Sequence, residues 1–416
     1  MKRKRSVPSV GILGTGFGLK VQVPQFRKAG LTIGAIYSRS AERARAIASE
    51  HGIPIGCDSV ETLCETADVD IVSCAGPTST RCEQTLAVLR HGKHVLVDKP
   101  MAMTETEATS MLEAARAAHG LFAWMDFELR CTPAVLKMRE IISSGKLGTP
   151  LFISCRSINN STWLNRQHSH WATREHGGGV FSAVGTHFVD LARFATGREV
   201  ARLSATQRTL VDNLPNELGE PTPVTSDGLT MASLEMVEVA GEGGGDADVE
   251  KRQALPVNIF ISSHSPALPN EIGLLICCQR GSLKLNLLES TLEVYRTGDT
   301  KPETYGGGGN AWSEVGTVAL GRAIRAAIGG GTGAVEPGGI RRLYWGPRPP
   351  PKTKNTPKPF KNPKQNTKKQ KLQKTNNKQQ TTTQTSKNNK QQHNSKQNTN
   401  NDKKTTQKPK NKIETA

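Results

Sequence analysis

GILGTGFGLK, Gly11–Lys20, is the stretch that decides how the chain begins to fold. It follows the apolar run "VPSVGILG" and precedes the amphipathic run "LKVQVPQFRKAG", so it reads as a turn from strand to helix. Gly14 and Gly16 stand where a G-x-G-x-x-G pattern wants its first two glycines. The first permits a tight turn, and the second lets backbone approach a diphosphate at a helix N-terminus. The third normally allows a helix to pack closely on its strand, but position 19 is Leu19, and Gly18 comes one place early. The departure therefore bears on packing more than on phosphate contact. Gly14, Thr15, Gly16, Phe17 and Gly18 form the expected cradle; a Gly-rich turn with no ligand is the plainer alternative.

The pattern repeats outward from this turn. "LTIGAIYS", "DVDIVSCAG", "KHVLVDKP" and "LFAWMDF" read as buried strands. "SAERARAIASEHG", "TSTRCEQTLAVLRHG" and "TETEATSMLEAARAAHG", the last with Thr104 as N-cap, read as helices between them. Near-continuous apolar strands alternating with helices predict a doubly wound parallel sheet over residues 1–125. After a bridging helix, "TPAVLKMREIISSGKLG", strand-like runs follow one another, from "PLFISCRSI" to "STLEVYR", interrupted by a helix from about Gly179 to Thr196. Residues 126–335 thus predict an α+β domain with a large, mostly antiparallel open sheet, closed by the helix "EVGTVALGRAIRAAIGGG".

The net charge of +18 is misleading until it is mapped. Of 55 basic residues, 18 are lysines between Lys352 and Ala416, a segment with two acids, so the remainder carries only +2. A specific nucleic-acid surface on the folded part is not expected. The segment 336–416 is dominated by Lys, Asn, Gln, Thr and Pro, and such a composition predicts a disordered tail. The eight cysteines show no C-x-x-C pair and sit largely in apolar runs, which fits buried thiols in a reducing, cytoplasmic compartment. No apolar run reaches the roughly 18 residues of a membrane span.

At the end of the second strand a dinucleotide site for NAD usually carries an acid that binds the ribose diol. Here the residues are "YSRSAER", with Ser38 and Arg39. A hydroxyl followed by a guanidinium suits a 2′-phosphate, so NADP is expected ahead of NAD.

Taken together, "GILGTGFG", "YSRS", "DVDIVSCAGP", "GKHVLVDKPMAMT", "DFELRCTPAVLKMREIISSGKLGTP" and "GGGVFSAVGTHFVDLARFATG" resemble the glucose–fructose oxidoreductase and inositol dehydrogenase family of nicotinamide-dependent oxidoreductases. The resemblance runs from Val7 to Ala327. It implies a Rossmann domain followed by a domain whose open sheet forms a subunit interface, hence a homo-oligomer. It also implies that the turn at Ala75, Gly76 and Pro77 passes beneath the cofactor. Asp98, Lys99 and Pro100 correspond to a family signature, usually Glu-Lys-Pro, which would bring Lys99 near the nicotinamide and the reacting hydroxyl. An ammonium there can stabilise a developing alkoxide and move a proton. His187 is the other expected catalytic residue; the family's sugar and inositol dehydrogenases carry an Asp four residues before it, where this chain has Ala183.

Arg130, Trp163, His170 and Asp190 are candidates for contact with a small-molecule substrate, though an interdomain ion pair accounts equally well for Arg130. The spacing of His168, His170 and His176 fits no standard ligand set, so no metal is expected. The activity implied is hydride transfer between nicotinamide and a sugar, polyol or related carbonyl compound. A non-catalytic, nucleotide-sensing protein of the same fold is the alternative, motivated by Ala183.

Overall fold

The computed structural model describes residues 7–66, 68–159, 167–238, 253–265, 268–307 and 315–329. Trp163 and the Lys-rich tail lie outside the described residues.

Six short strands form the first sheet: β1 (Ser9–Leu13), β2 (Thr32–Tyr37), β3 (Ile55–Cys57), β4 (Ile71–Cys74), β5 (His94–Asp98) and β6 (Ala123–Asp126). All pairs are parallel and the order is β3-β2-β1-β4-β5-β6. The helices between them are α1 (Val23–Lys28), α2 (Ala41–Glu50), α3 (Val60–Glu65), α4 (Thr78–Arg90) and α5 (Glu105–Ala117). Successive side chains of β1 serve opposite layers. Val10 and Ile12 pack with Phe26 of α1 and Ala48 of α2, whereas Leu13 packs with Leu63 of α3 and Val88 of α4. Side-chain caps start three helices: Ser40, Ser59 and the expected Thr104 each accept from a backbone N–H three residues on. The three-residue β3 and the helix after it do not stand out in the sequence, because Ile55 faces outward and the apolar run is too short.

The connection after β1 leads to β2 and then β3, whereas β4 returns to the other side of β1. The crevice between the carboxyl ends of β1 and β4 is therefore the topological switch point.

After α6 (Pro133–Ser143) the chain builds an eight-stranded sheet from β7 (Pro150–Ile158), β8 (Arg198–Arg208), β11 (Leu229–Glu238), β12 (Leu255–Ser262), β13 (Glu271–Cys278), β14 (Gly281–Asn286), β15 (Thr291–Arg296) and β16 (Glu303–Gly306). Its order is β16-β15-β14-β13-β7-β12-β11-β8, antiparallel except between β7 and β12. The short β9 (Asn213–Pro215) and β10 (Pro221–Pro223) form a separate hairpin. One face is covered by α6 and α7 (Thr186–Thr196), through Val135, Met138, Phe188 and Leu191 against Ile153, Val257 and Ile276. Strand β11 shows the consequence as strict alternation: Thr230, Ala232 and Leu234 are buried, and Met231, Ser233 and Glu235 are exposed. The last helix, α8 (Gly316–Gly329), returns to the first sheet and buries Leu320 and Ile324 beside Phe26 and Leu31.

Candidate active site

The glycine turn resolves into three different roles. Gly14 has φ +145°, and a Cβ there would lie 2.6 Å from the Ala75 carbonyl oxygen. Only glycine fits without moving the neighbouring turn. At Gly18 a Cβ would lie 2.8 Å from Ile12 Cγ2 and 3.2 Å from Ala75 Cβ, so Gly18 provides the close helix–strand approach expected of the missing third glycine. The displacement by one residue coincides with a π-helical turn, Gly18–Gln22, ahead of α1. Leu19 packs into the apolar layer beneath α1 instead of blocking the loop. At Gly16 a Cβ would meet nothing within 4 Å. Among the described residues no contact requires glycine at that position, and the first turn carries no acid, so the open space suits a close-approaching anionic group.

The turn after β4 faces this loop. Its Ala75 N–H donates to Leu13 O at 2.8 Å, and Pro77 leads directly into α4. Ser38 is buried at the end of β2, with its N–H on Cys57 O at 3.0 Å, and Arg39 beside it is exposed.

Arg81, on the buried side of α4, ties the turns together. Its guanidinium donates to Gly76 O at 2.6 Å and to Pro100 O, and lies 3.7 Å from the Asp98 carboxylate. Asp98 also accepts from the Lys99 N–H at 2.7 Å. The Lys99–Pro100 peptide is cis. So anchored, the Lys99 side chain crosses to the second layer. There Nζ donates to the Ala183 carbonyl oxygen at 3.2 Å and lies 5.4 Å from the Trp171 ring centroid. Trp171 in turn stands 4.9 Å from the His170 ring.

Ala183 belongs to a π-helical turn, Phe181–Gly185, that feeds α7. His187 on α7 is 1% exposed and meets Phe127 edge-on at 5.7 Å. Burial, and then the charge of Lys99, hold its pKa well below the ordinary imidazole value, so the ring is neutral. For Arg130 the ion-pair reading is the one realised. It grips Asp190 through Nε at 2.6 Å and through a second short contact, both side chains being buried. Burial raises Asp190 and the guanidinium opposes that rise. Arg130 and Asp190 therefore face each other as a buried ion pair, the alternative given for Arg130.

Arg81, Gln22, Asp126 and Glu128 are polar residues of this site that sequence reading passes over. Ser73 Oγ donates to Gln22 Oε1 at 2.7 Å, which orients the amide so that Nε2 donates to Asp126 Oδ2 at 2.6 Å. The signal available was two acids within the apolar run "WMDFELR", at the carboxyl end of a strand.

A family model described as the oxidoreductase family with an NAD-binding Rossmann fold matches residues 9–126, and one for the GFO/IDH/MocA C-terminal domain matches residues 135–245. The chain is 36% identical over 181 residues to a 1,5-anhydro-D-fructose reductase of Ensifer adhaerens, covering 43% of this chain and 53% of that one. It is 30% identical to the dehydrogenase aclE of Aspergillus oryzae, over 61% of this chain and 67% of that one. The chain spans about half the length of several of the curated relatives it matches. Among solved structures, a levoglucosan dehydrogenase in complex with NADH and levoglucosan superposes with TM-score 0.67 at 20% identity, over 81% of this chain and 94% of that one.

Proposed function

Because this chain belongs to the oxidoreductase family with the NAD-binding Rossmann fold, also called Gfo/Idh/MocA, we propose that it moves hydride between a nicotinamide dinucleotide and a sugar-derived carbonyl or hydroxyl compound. The observation that carries the reading is Lys99. Its ammonium is held at the carboxyl end of β5, on the same sheet edge as the open Gly16 cradle, and reaches across to Ala183.

In this reading Gly14 and Gly16 shape the turn that accepts the diphosphate, with Thr15, Phe17 and Gly18 completing it. Ala75, Gly76 and Pro77 support the cofactor from below, beside Asp98. Ser38 and Arg39 receive the ribose and its 2′-phosphate, so NADP is preferred to NAD. The bound cofactor supplies or accepts the hydride. Lys99 places a positive charge against the reacting oxygen and exchanges a proton with it. The neutral His187 borders this space from α7, and His170 with Trp171 forms the substrate rim. Anhydrofructose and levoglucosan, named for two relatives, set the class of small anhydro-sugars with which to begin.

The bare face of the eight-stranded sheet supports a homo-oligomer. Met231 and Phe152 are exposed there, around a shallow groove of about 500 Å³ lined in part by Ser204, Asn258 and Phe260.

The test is NADPH oxidation with a panel of sugar-derived carbonyls including 1,5-anhydro-D-fructose, comparing wild type with Lys99→Ala. Turnover lost in the variant is the expected result. Ala183 and the deep burial of His187 motivate the second reading, a nucleotide sensor without catalysis. Tight cofactor binding with no turnover across the panel would select that reading.

A further inference from the structure

Lys99 holds its charge on neutral partners. Its Nζ donates to the Ala183 carbonyl oxygen at 3.2 Å and stands over the Trp171 ring at 5.4 Å. Among the described residues no carboxylate comes within ion-pair distance of that ammonium. Asp98 faces the Arg81 guanidinium at 3.7 Å and accepts from the Lys99 backbone N–H, not from its side chain. Asp126 accepts from Gln22 at 2.6 Å, and on the rim Glu175 accepts from Thr225 at 3.1 Å. Burial, and then the charge of Asp98, push Asp126 up to about 7; burial and then Asp126 raise Glu128. Position 183, where a carboxylate would have faced the amine, is an alanine packed in the core of the second layer. The rim itself brings His170, Arg174 and His176, the last with Nδ1 3.5 Å from Ser79 Oγ. A half-buried cation without a counter-ion is stabilised by an anionic ligand.

We propose that the substrate supplies this missing carboxylate, on the carbon next to the reacting one: a sugar-derived 2-oxo acid, reduced to the 2-hydroxy acid. The inference rests on the function proposed above and narrows its substrate. An ammonium has three N–H donors, and the Ala183 carbonyl takes one. The two that remain match two oxygens on adjacent carbons, the reacting carbonyl and the carboxylate beside it. In reduction the C=O π bond opens as C2 takes hydride from the reduced nicotinamide, forming C–H. A Lys99 N–H proton passes to the former carbonyl oxygen, forming O–H, and water returns a proton to the amine. The carboxylate is unchanged, and the dinucleotide leaves oxidised.

The test uses matched pairs on the full-length chain. 2-Keto-D-gluconate and D-fructose share C2 to C6 and differ at C1, a carboxylate in one and a hydroxymethyl group in the other. With NADPH, kcat/KM for 2-keto-D-gluconate should exceed that for D-fructose by about 10- to 100-fold, the effect of a hydrogen bond between charged groups. Turnover of D-fructose at an equal or higher kcat/KM overturns the proposal and leaves the oxidoreductase reading standing. If neither is turned over, D-gluconate and D-glucitol, which differ at C1 in the same way, are titrated calorimetrically with and without NADPH. Tighter binding of D-gluconate by a similar factor, lost in Lys99→Met, retains the carboxylate site and rejects the catalytic reading. Equal binding, no binding of D-gluconate, or a preference that survives in Lys99→Met overturns the proposal. Should that variant fail to fold, the wild-type ratios still decide.

Discussion

The six-stranded sheet is covered on both faces, whereas among the described residues the eight-stranded sheet has helices on one face only and leaves Met231 45% and Phe152 41% exposed on the other. Parallel crossovers force the first arrangement, since each returning helix must lie on a face. Chemistry at that sheet can therefore gather only at its carboxyl edge, where the loops emerge. The second sheet leaves a broad surface bare instead. Substitutions in the two places should differ in kind.

The largest effect is expected at the carboxyl edge of the first sheet. Arg81→Met removes the guanidinium that joins Gly76, Pro100 and Asp98 and leaves a buried carboxylate, which should cost about 3–5 kcal/mol in denaturant unfolding. Gly14→Ala should cost about 2–4 kcal/mol, from its positive φ and the contact with the Ala75 carbonyl. A stability near wild type in either would mean that the edge is less tightly fixed than the contrast between sheets requires.

A pH experiment sharpens the comparison. Asp126 rises from 3.8 to about 7 on folding, so the native state holds a proton that the unfolded chain has released. Stability from this group is full below about pH 4 and falls until about pH 7, by on the order of a few kcal/mol. Asp126→Asn should therefore gain on wild type as pH rises through that window, as read by melts at several pH values. A difference independent of pH would remove Asp126 as a titrating group. The smallest effect on folding is expected on the bare face of the second sheet. Met231→Lys should change monomer stability by no more than about 0.5 kcal/mol, while shifting sedimentation toward a smaller species. An unchanged species distribution would argue against an interface there.

Much of this was legible in the sequence, for identifiable reasons. The strands β1, β2, β4 and β5 are continuous apolar runs, and the alternation in β11 is plain, because burial writes itself into residue type. Lys99 and the glycine turn were found through their motifs. Arg81 was not, since a single arginine on a polar helix looks the same in sequence whether it is solvated or buried. The pairing of Arg130 with Asp190, 60 residues apart, depends on how α7 docks, and no local pattern carries that. The π turn at Gly18–Gln22 explains why a displaced glycine looked like a defect. Its wider winding lets Gly18 do the packing, which is a property of the backbone and not of any residue type.

Calorimetric titration of NADPH and NADH into the full chain and into Gly16→Asp tests the central claim most directly. A Cβ at position 16 meets no protein atom within 4 Å, so the variant should fold as wild type does. On the proposed reading its carboxylate would nonetheless stand where the diphosphate binds, weakening affinity roughly 100-fold, about 2.7 kcal/mol. Equal affinity of a folded Gly16→Asp variant and wild type would contradict the account.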